Sequence, residues 1–147
     1  MSKLYIIIPA RLKSKRLPHK ILLNKTGKFL VMHTLEAALK SRYANDIFIA
    51  TDSQEVVKKI SPLYKKVFLT PETLTNGTER CLYLAQKLGL PNDAYIVNWQ
   101  ADEPELPAKY VDRLYKFIIT TEYKVGTLAA RAEKQYLNDP NTVKVVV

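Results

Sequence analysis

The feature that most constrains the fold is an unbroken apolar run at residues 4–8, Leu-Tyr-Ile-Ile-Ile. A strand with one face in water would alternate apolar and polar side chains, whereas an unbroken run indicates a strand that is covered on both faces. Such strands occur in parallel sheets with helices on either side. We therefore predict a central parallel strand in an α/β sheet.

The rest of the chain alternates short apolar runs with amphipathic helical spacing. The predicted strands are residues 47–50, 66–69, 95–99, 126–130 and 143–147, and the predicted helices are residues 31–39, 54–60, 78–88 and 111–118. This alternation indicates βαβ units with right-handed crossovers. Because the last predicted strand runs to the end of the sequence, we expect the domain to be cut short at its C-terminus.

Length and composition narrow the class of protein. A chain of 147 residues is sufficient for a single domain, residues 1–147. The lone Cys81 excludes an intrachain disulfide, and its place on the inward face of a predicted helix indicates a small core residue and not a nucleophile. Without a membrane-length apolar run or a signal peptide, we expect a cytoplasmic protein with no membrane partner.

A strongly basic loop follows the first strand and carries Arg11, Lys13, Lys15, Arg16 and Lys20. Residues 1–42 contain ten Lys or Arg and one acidic residue, which accounts for the whole net charge of +9. Open α/β sheets bind ligands where their strands end, so the loop favours an anionic ligand such as a phosphate compound. Few aromatic residues accompany the basic ones, which argues against nucleic acid. The alternative is a solvated basic loop.

Two acidic residues, Asp102 and Glu103, follow the fourth predicted strand. Neighbouring parallel strands end at one edge of the sheet, so these carboxylates could face the basic loop across a cleft. That pairing suggests a metal nucleotide, with Mg²⁺ on Asp102 and the phosphates on the basic loop. Equally, both acids could cap the helix that begins near Pro107.

A third constellation is the segment 76–80, Asn-Gly-Thr-Glu-Arg, at the predicted start of a helix. Gly77 permits close backbone approach, and the Thr78 and Glu79 amides at the helix start are free donors for a ligand. A purely structural interpretation has Asn76 or Thr78 as the helix cap, with Glu79 and Arg80 on the exposed face. Asp52 or Ser53 is similarly expected to cap the second helix, and His33 to be structural.

In order and spacing, five segments together resemble the CMP-Kdo synthetases, the 3-deoxy-manno-octulosonate cytidylyltransferases. The segments are residues 7–20 (Ile-Ile-Pro-Ala-Arg-x-x-Ser-x-Arg-Leu-Pro-x-Lys), 50–52 (Ala-Thr-Asp), 77–80 (Gly-Thr-Glu-Arg), 97–104 (Val-Asn-x-Gln-x-Asp-Glu-Pro) and 139–146 (Asp-Pro-Asn-x-Val-Lys-Val-Val). The CMP-sialic acid synthetases have a similar basic loop, but the segment around Asp102 is more like that of the Kdo enzymes.

The resemblance implies a Rossmann-like nucleotide-diphospho-sugar transferase fold that transfers CMP from CTP to the anomeric hydroxyl of Kdo, for lipopolysaccharide or another surface glycan. It implies Mg²⁺ on Asp102, with Arg11, Lys20 and Asp102 as the catalytic groups. The implied CTP-binding residues are Ala10, Arg11, Ser14, Arg16, Lys20, Gly77, Thr78 and Gln100. Among them, Arg11 and Lys20 would bind the phosphates, Ser14 and Arg16 would shape the loop, and the Gly77-Thr78 backbone would lie against the cytosine.

The sequence also departs from the family pattern. Ala101 stands where the family usually has Gly, and residues 71–76 lack the family's basic, acidic and His-bearing segment. By the resemblance, the second metal carboxylate, most sugar-binding residues and much of the interface of a homodimer lie beyond residue 147. Two rivals therefore remain: a cytidylyltransferase for another acid sugar such as a sialic acid, and a non-catalytic nucleotide-binding fragment or subunit of a split enzyme.

Overall fold

The computed structural model describes residues 2–12, 17, 19–131, 133–140 and 142–145. In that part of the chain, four parallel strands form one sheet: β1 (Leu4–Pro9), β2 (Ala44–Thr51), β3 (Val67–Leu69) and β4 (Tyr95–Asn98). Their order is β3-β2-β1-β4, and all six residues of β1 are buried. The predicted central parallel strand is confirmed.

Helices cover both faces of the sheet: α1 (Leu30–Ala38), α2 (Gln54–Ile60), α3 (Gly77–Lys87) and α4 (Ala108–Ile118). Alternate β1 side chains enter different cores, because neighbouring residues of a strand point to opposite faces. Ile6 and Ile8 belong to a core cluster with residues of α1, α2 and α4. Tyr5 and Ile7 belong to the cluster that contains Cys81 of α3. The predicted α/β architecture is confirmed.

Cys81 is a core residue, as predicted. Its side chain is buried against β1, where the thiol lies 3.8 Å from the carbonyl oxygen of Ile7. Burial raises the pKa of Cys81 to about 12, because an apolar environment disfavours the thiolate. The residue is therefore a neutral, unreactive thiol in the folded protein.

The helix caps distinguish several of the sequence interpretations. Ser53 caps α2 by accepting a hydrogen bond from the Val56 amide (3.4 Å), and Asn76 caps α3 by accepting one from Glu79 (2.9 Å). Helix α4 begins after Pro107 without a side-chain cap. The alternative in which Asp102 and Glu103 cap α4 is therefore wrong.

The predictions of strands at residues 126–130 and 143–147 are wrong for the described residues. Residues 124–131 and 142–145 have no strand structure, and residues 146–147 lie outside the described part. An apolar run becomes a strand only where another strand supplies hydrogen bonds, and Val125 and Val143 are instead 88% and 92% exposed. A short 3-10 helix, Lys134–Asn138, follows. In the described residues, no helix has the length and apolar character needed to cross a membrane.

Candidate functional site

The basic loop and the acidic segment meet where β1 and β4 end. The two strands are adjacent and parallel, and Lys20 donates a hydrogen bond from Nζ to Oδ2 of Asp102 at 2.7 Å. Both side chains are partly exposed, at 40% and 42%. The sheet therefore brings together two groups of opposite charge that were predicted to face each other, and leaves both accessible to a ligand.

Lys20 owes its position to a turn and to two buried neighbours. His19 has a φ of 58°, in the left-handed region that residues other than Gly seldom adopt. The following 3-10 helix, Lys20–Leu22, buries Ile21 and Leu22 in the core. Burial of these two side chains leaves Lys20 at the open edge of the sheet. Ser14 and Arg16, which were predicted to shape this loop, lie outside the described residues.

Asp102 is carried by a backbone segment that α1 holds in place. Trp99 continues the pairing of β4 by donating from its amide to the Ile7 carbonyl (3.1 Å), and its indole donates to the Glu103 carbonyl (3.1 Å). The hydroxyl of Thr34 donates to the carbonyl of Ala101 (2.7 Å), and Ala101 itself is buried. These contacts fix the turn from which Asp102 projects. Burial, together with the charge of Asp102, raises the pKa of Glu103.

The start of α3 packs directly against the ends of β1 and β4. A Cβ atom on Gly77 would lie 3.1 Å from Cγ of Pro9, 3.2 Å from Nε2 of Gln100 and 3.3 Å from Nδ2 of Asn98. Gln100 donates from Nε2 to Oδ1 of Asn98 (2.8 Å). Only glycine fits here without displacing a neighbour, so the helix start and the Gln100 amide are held at close range.

These residues enclose a small cavity at the sheet edge, of about 180 Å³. Its lining combines strand ends, the helix start and the two charged groups: Pro9, Arg11, Lys20, Ile21, Gly77, Gln100, Ala101 and Asp102. Ala10, between Pro9 and Arg11, is fully buried and does not line the cavity, and its amide donates to the Ala50 carbonyl (2.8 Å). Four of the eight predicted CTP-binding residues, Arg11, Lys20, Gly77 and Gln100, thus line one cavity.

Asn76 is the cap of α3, and the residues on either side of it make further polar contacts at the helix start. The hydroxyl of Thr78 accepts from Nδ2 of Asn98 (3.4 Å), and the carboxylate of Glu79 accepts from the Thr75 amide (2.8 Å). These Thr75 hydrogen bonds lower the pKa of Glu79, since they favour its charged form. The prediction of a free Glu79 amide is wrong, because the Asn76 cap takes that amide. The cap leaves the Thr78 amide unused, so the ligand interpretation is retained for the Gly77-Thr78 backbone.

Two charged residues that the sequence interpretation did not assign to the site lie beside Arg11. Arg80 is fully buried and donates from Nη2 to Oδ2 of Asp52 (3.1 Å), so the prediction of an exposed Arg80 is wrong. Arg11 lies with its Nε 3.8 Å from the same Asp52 oxygen. Helical spacing could have predicted the burial of Arg80, because Arg80 precedes the core residue Leu84 by four positions and therefore lies on the same face of the helix.

A larger cavity of about 960 Å³ adjoins the small one and shares Lys20 and Asp102 with it. Its other walls come from residues 103–107, Leu30, Tyr110 and residues 128–130. Within the described part of the chain, no group of three or more His, Cys, Asp or Glu side chains could hold a metal. Asp102 offers one partly exposed carboxylate. A single protein carboxylate suits Mg²⁺, which takes most of its remaining ligands from phosphate and water.

Comparisons with known proteins converge on one family. A family model described as cytidylyltransferase matches residues 5–147. Two proteins named 3-deoxy-manno-octulosonate cytidylyltransferase are each 38% identical, one from Francisella philomiragia over 99% of this chain and one from Chloroherpeton thalassium over 98%. The chain spans 59% of the length of each of these relatives.

A solved structure of CMP:2-keto-3-deoxy-manno-octonic acid synthetase complexed with CTP is similar to this chain, with a TM-score of 0.74 and 31% sequence identity. The match covers 81% of this chain and 48% of that protein. A cytidylyltransferase from Leptospira borgpetersenii, 23% identical with a TM-score of 0.66, has the same fold. The predicted Rossmann-like transferase fold and the resemblance drawn from the motifs are both confirmed.

Proposed function

Because this chain belongs to the cytidylyltransferase family, we propose that it forms the CTP-binding part of an enzyme that transfers CMP from CTP to the anomeric hydroxyl of Kdo and releases pyrophosphate. The observation that carries the proposal is the meeting of Lys20 and Asp102 at the sheet edge. Its sequence and fold are similar to those of a synthetase of this class solved with CTP. The product would serve lipopolysaccharide or another surface glycan.

In this proposal the small cavity receives the nucleotide. Arg11 and Lys20 bind its phosphates, because guanidinium and ammonium groups are the side chains suited to phosphate oxygens. Gln100 lies beside the nucleotide, and the Gly77-Thr78 backbone faces the cytosine, where the close packing of Gly77 against Gln100 limits the space. Ala10, Ser14 and Arg16 complete the proposed loop.

The proposed metal is Mg²⁺, held by Asp102 together with the phosphates. When bound, it would supply positive charge that offsets the charge on the phosphates as pyrophosphate leaves. The chain's own contribution is Lys20, whose ammonium contacts Asp102 at 2.7 Å and is free to turn toward a phosphate because it is partly exposed. Lys20 would then orient the triphosphate and stabilise the negative charge that develops on the leaving group.

The larger cavity is the proposed place for the acceptor sugar. It shares Lys20 and Asp102 with the small cavity, so a sugar there would have its hydroxyl beside the α-phosphorus of a nucleotide bound on the other side. Holding the two reactants in one orientation is itself a large part of catalysis in such transfers. We propose that the sugar is Kdo, and another acid sugar is the alternative that the test below separates.

Isothermal titration with CTP, UTP, ATP and GTP, each with and without Mg²⁺, tests the nucleotide part. We expect CTP to bind with the highest affinity and Mg²⁺ to strengthen its binding. Pyrophosphate release in the presence of CTP then tests the acceptor on a chain extended to the length of the relatives, with Kdo and a sialic acid compared at equal concentration. Equal affinity for all four nucleotides, or pyrophosphate release that responds to sialic acid and not to Kdo, would contradict the proposal.

A further inference from the structure

Arg80 is the most deeply buried charged residue beside the site, and its guanidinium joins two parts of the chain. Nη2 donates to Oδ2 of Asp52 (3.1 Å) at the end of β2, and to the carbonyl of Leu74 (3.3 Å). Nη1 donates to the hydroxyl of Thr70 and to the carbonyl of Pro71 (3.4 Å). Arg80 thereby ties residues 70–74 to Asp52 from within the fold.

Arg11 approaches the same two elements from the side of the cavity. Its Nη1 donates to the carbonyl of Thr75 (2.7 Å), one residue beyond Leu74, and its Nε lies 3.8 Å from the Asp52 oxygen that Arg80 contacts. The side chain of Asp52 is 10% exposed, whereas that of Arg11 is 43% exposed. One carboxylate therefore stands between a buried guanidinium and an exposed one.

This arrangement is costly if it serves stability alone. Burial lowers the pKa of Arg80 despite the charge of Asp52, because a low-dielectric environment disfavours the charged form. Its Nε, also buried, has no hydrogen-bond partner among the described residues, and an apolar side chain would avoid the cost of burying that charge. An apolar side chain could not, however, hold Asp52 and the carbonyls of residues 71 and 74.

We propose that Arg80 is a positioning residue for nucleotide binding, which acts by fixing Asp52 and residues 70–75 and through them the guanidinium of Arg11. The inference rests on the proposed function, because it takes Arg11 to be a phosphate-binding group. Without Arg80, Arg11 is the guanidinium that remains beside Asp52 among the described residues, and Asp52 draws it away from the cavity. Loss of Arg80 also removes the hydrogen bonds that hold the Pro71 and Leu74 carbonyls, so the adjacent Thr75 carbonyl, which accepts from Arg11, is no longer fixed in place.

The test is a double-mutant cycle of Arg80→Met and Arg11→Ala, with CTP and cytidine affinities measured by calorimetry below the unfolding transition. We expect Arg80→Met to weaken CTP binding about tenfold, the loss of roughly one charge-assisted contact, and to change cytidine binding much less. In the Arg11→Ala background, Arg80→Met should have little further effect. Arg80→Lys, which retains the charge but has fewer donors, should lie between the parent and Arg80→Met.

Leu84→Ala is the matched control, because Leu84 is fully buried one turn further along α3 in the core behind the sheet. It should lower the melting temperature and leave CTP affinity unchanged. If Arg80→Met does not fold, the cycle is run with Arg80→Lys.

Two outcomes overturn the inference, and they differ. Losses that add in the double variant would mean that Arg80 does not act through Arg11, while the proposed function stands. An Arg11→Ala variant with parental CTP affinity would show that Arg11 does not bind the phosphates. The inference about Arg80 would then fail, and so would the assignment of Arg11 to the phosphates in the proposed function.

Discussion

Replacing Asp102 by Asn removes one negative charge while it preserves the size of the side chain and one acceptor oxygen. In the folded protein that carboxylate accepts a hydrogen bond from Lys20 at 2.7 Å, and both partners are about two-fifths exposed. At this distance in water, the Coulomb energy of two unit charges is about 1.5 kcal/mol. Exposed ion pairs retain only about 0.2–1 kcal/mol of this as net stability.

The expected effect on folding is therefore small. For a domain of this size, 1 kcal/mol corresponds to a shift in melting temperature of about 2–4 °C, so Asp102→Asn should lower the melting temperature by no more than about 4 °C. The effect on binding should depend on Mg²⁺. Without Mg²⁺ the variant should bind CTP as tightly as the parent or more tightly, because Lys20 is released and a carboxylate no longer repels the phosphates.

With millimolar Mg²⁺ the order should reverse, because the parent gains a metal ligand that the variant lacks. Calorimetric titration of CTP with and without Mg²⁺ measures this reversal in the order of the two CTP affinities, and differential scanning calorimetry measures stability. The control is Glu105→Gln, which removes the same charge from an exposed residue of the same segment. The CTP affinity of this control should not change order relative to the parent when Mg²⁺ is added. A variant whose CTP affinity still rises with Mg²⁺ as the parent's does would refute the assignment of Asp102 as a metal ligand.

Three further predictions concern the phosphate group, the helix start and the buried thiol. Lys20→Ala should weaken CTP binding about tenfold or more and cytidine binding little, since a charge-assisted contact contributes roughly 1.5–3 kcal/mol; equal losses in calorimetry would exclude a phosphate role. Gly77→Ala places a methyl group 3.2 Å from Nε2 of Gln100, so CTP affinity should fall more than melting temperature does, and unchanged affinity would mean that this contact lies outside the nucleotide site. Burial raises the pKa of Cys81 from 9.0 to about 12, so the thiol should react with a thiol reagent at pH 8 only as fast as the protein unfolds, and rapid labelling of the native protein would contradict its burial. Because the thiol ionises at a lower pH in the unfolded chain, the stability that it contributes is complete below about pH 9 and falls as the pH rises toward 12.

Much of the fold could be predicted because its signals are local. The apolar run of β1, the helical spacing of α1 to α4 and the caps at Ser53 and Asn76 each depend on residues within a few positions of one another. The two strand predictions that were wrong, residues 126–130 and 143–147, depended on partners elsewhere in the chain. Apolar composition supplies burial energy, but a strand also needs backbone hydrogen bonds from a neighbour, which composition does not encode.

The candidate site likewise has features that the sequence predicts and features that depend on distant contacts. The residue types at the strand ends can be taken directly from the sequence: cations after β1, carboxylates after β4 and a glycine at the start of α3. The contact between Lys20 and Asp102, 82 positions apart, and the burial of Arg80 against an Asp52 that it shares with Arg11 could be found only in the folded protein. Strand order and helix packing bring distant strand ends together, and a charge is stable inside the fold only where that packing brings it an opposite charge.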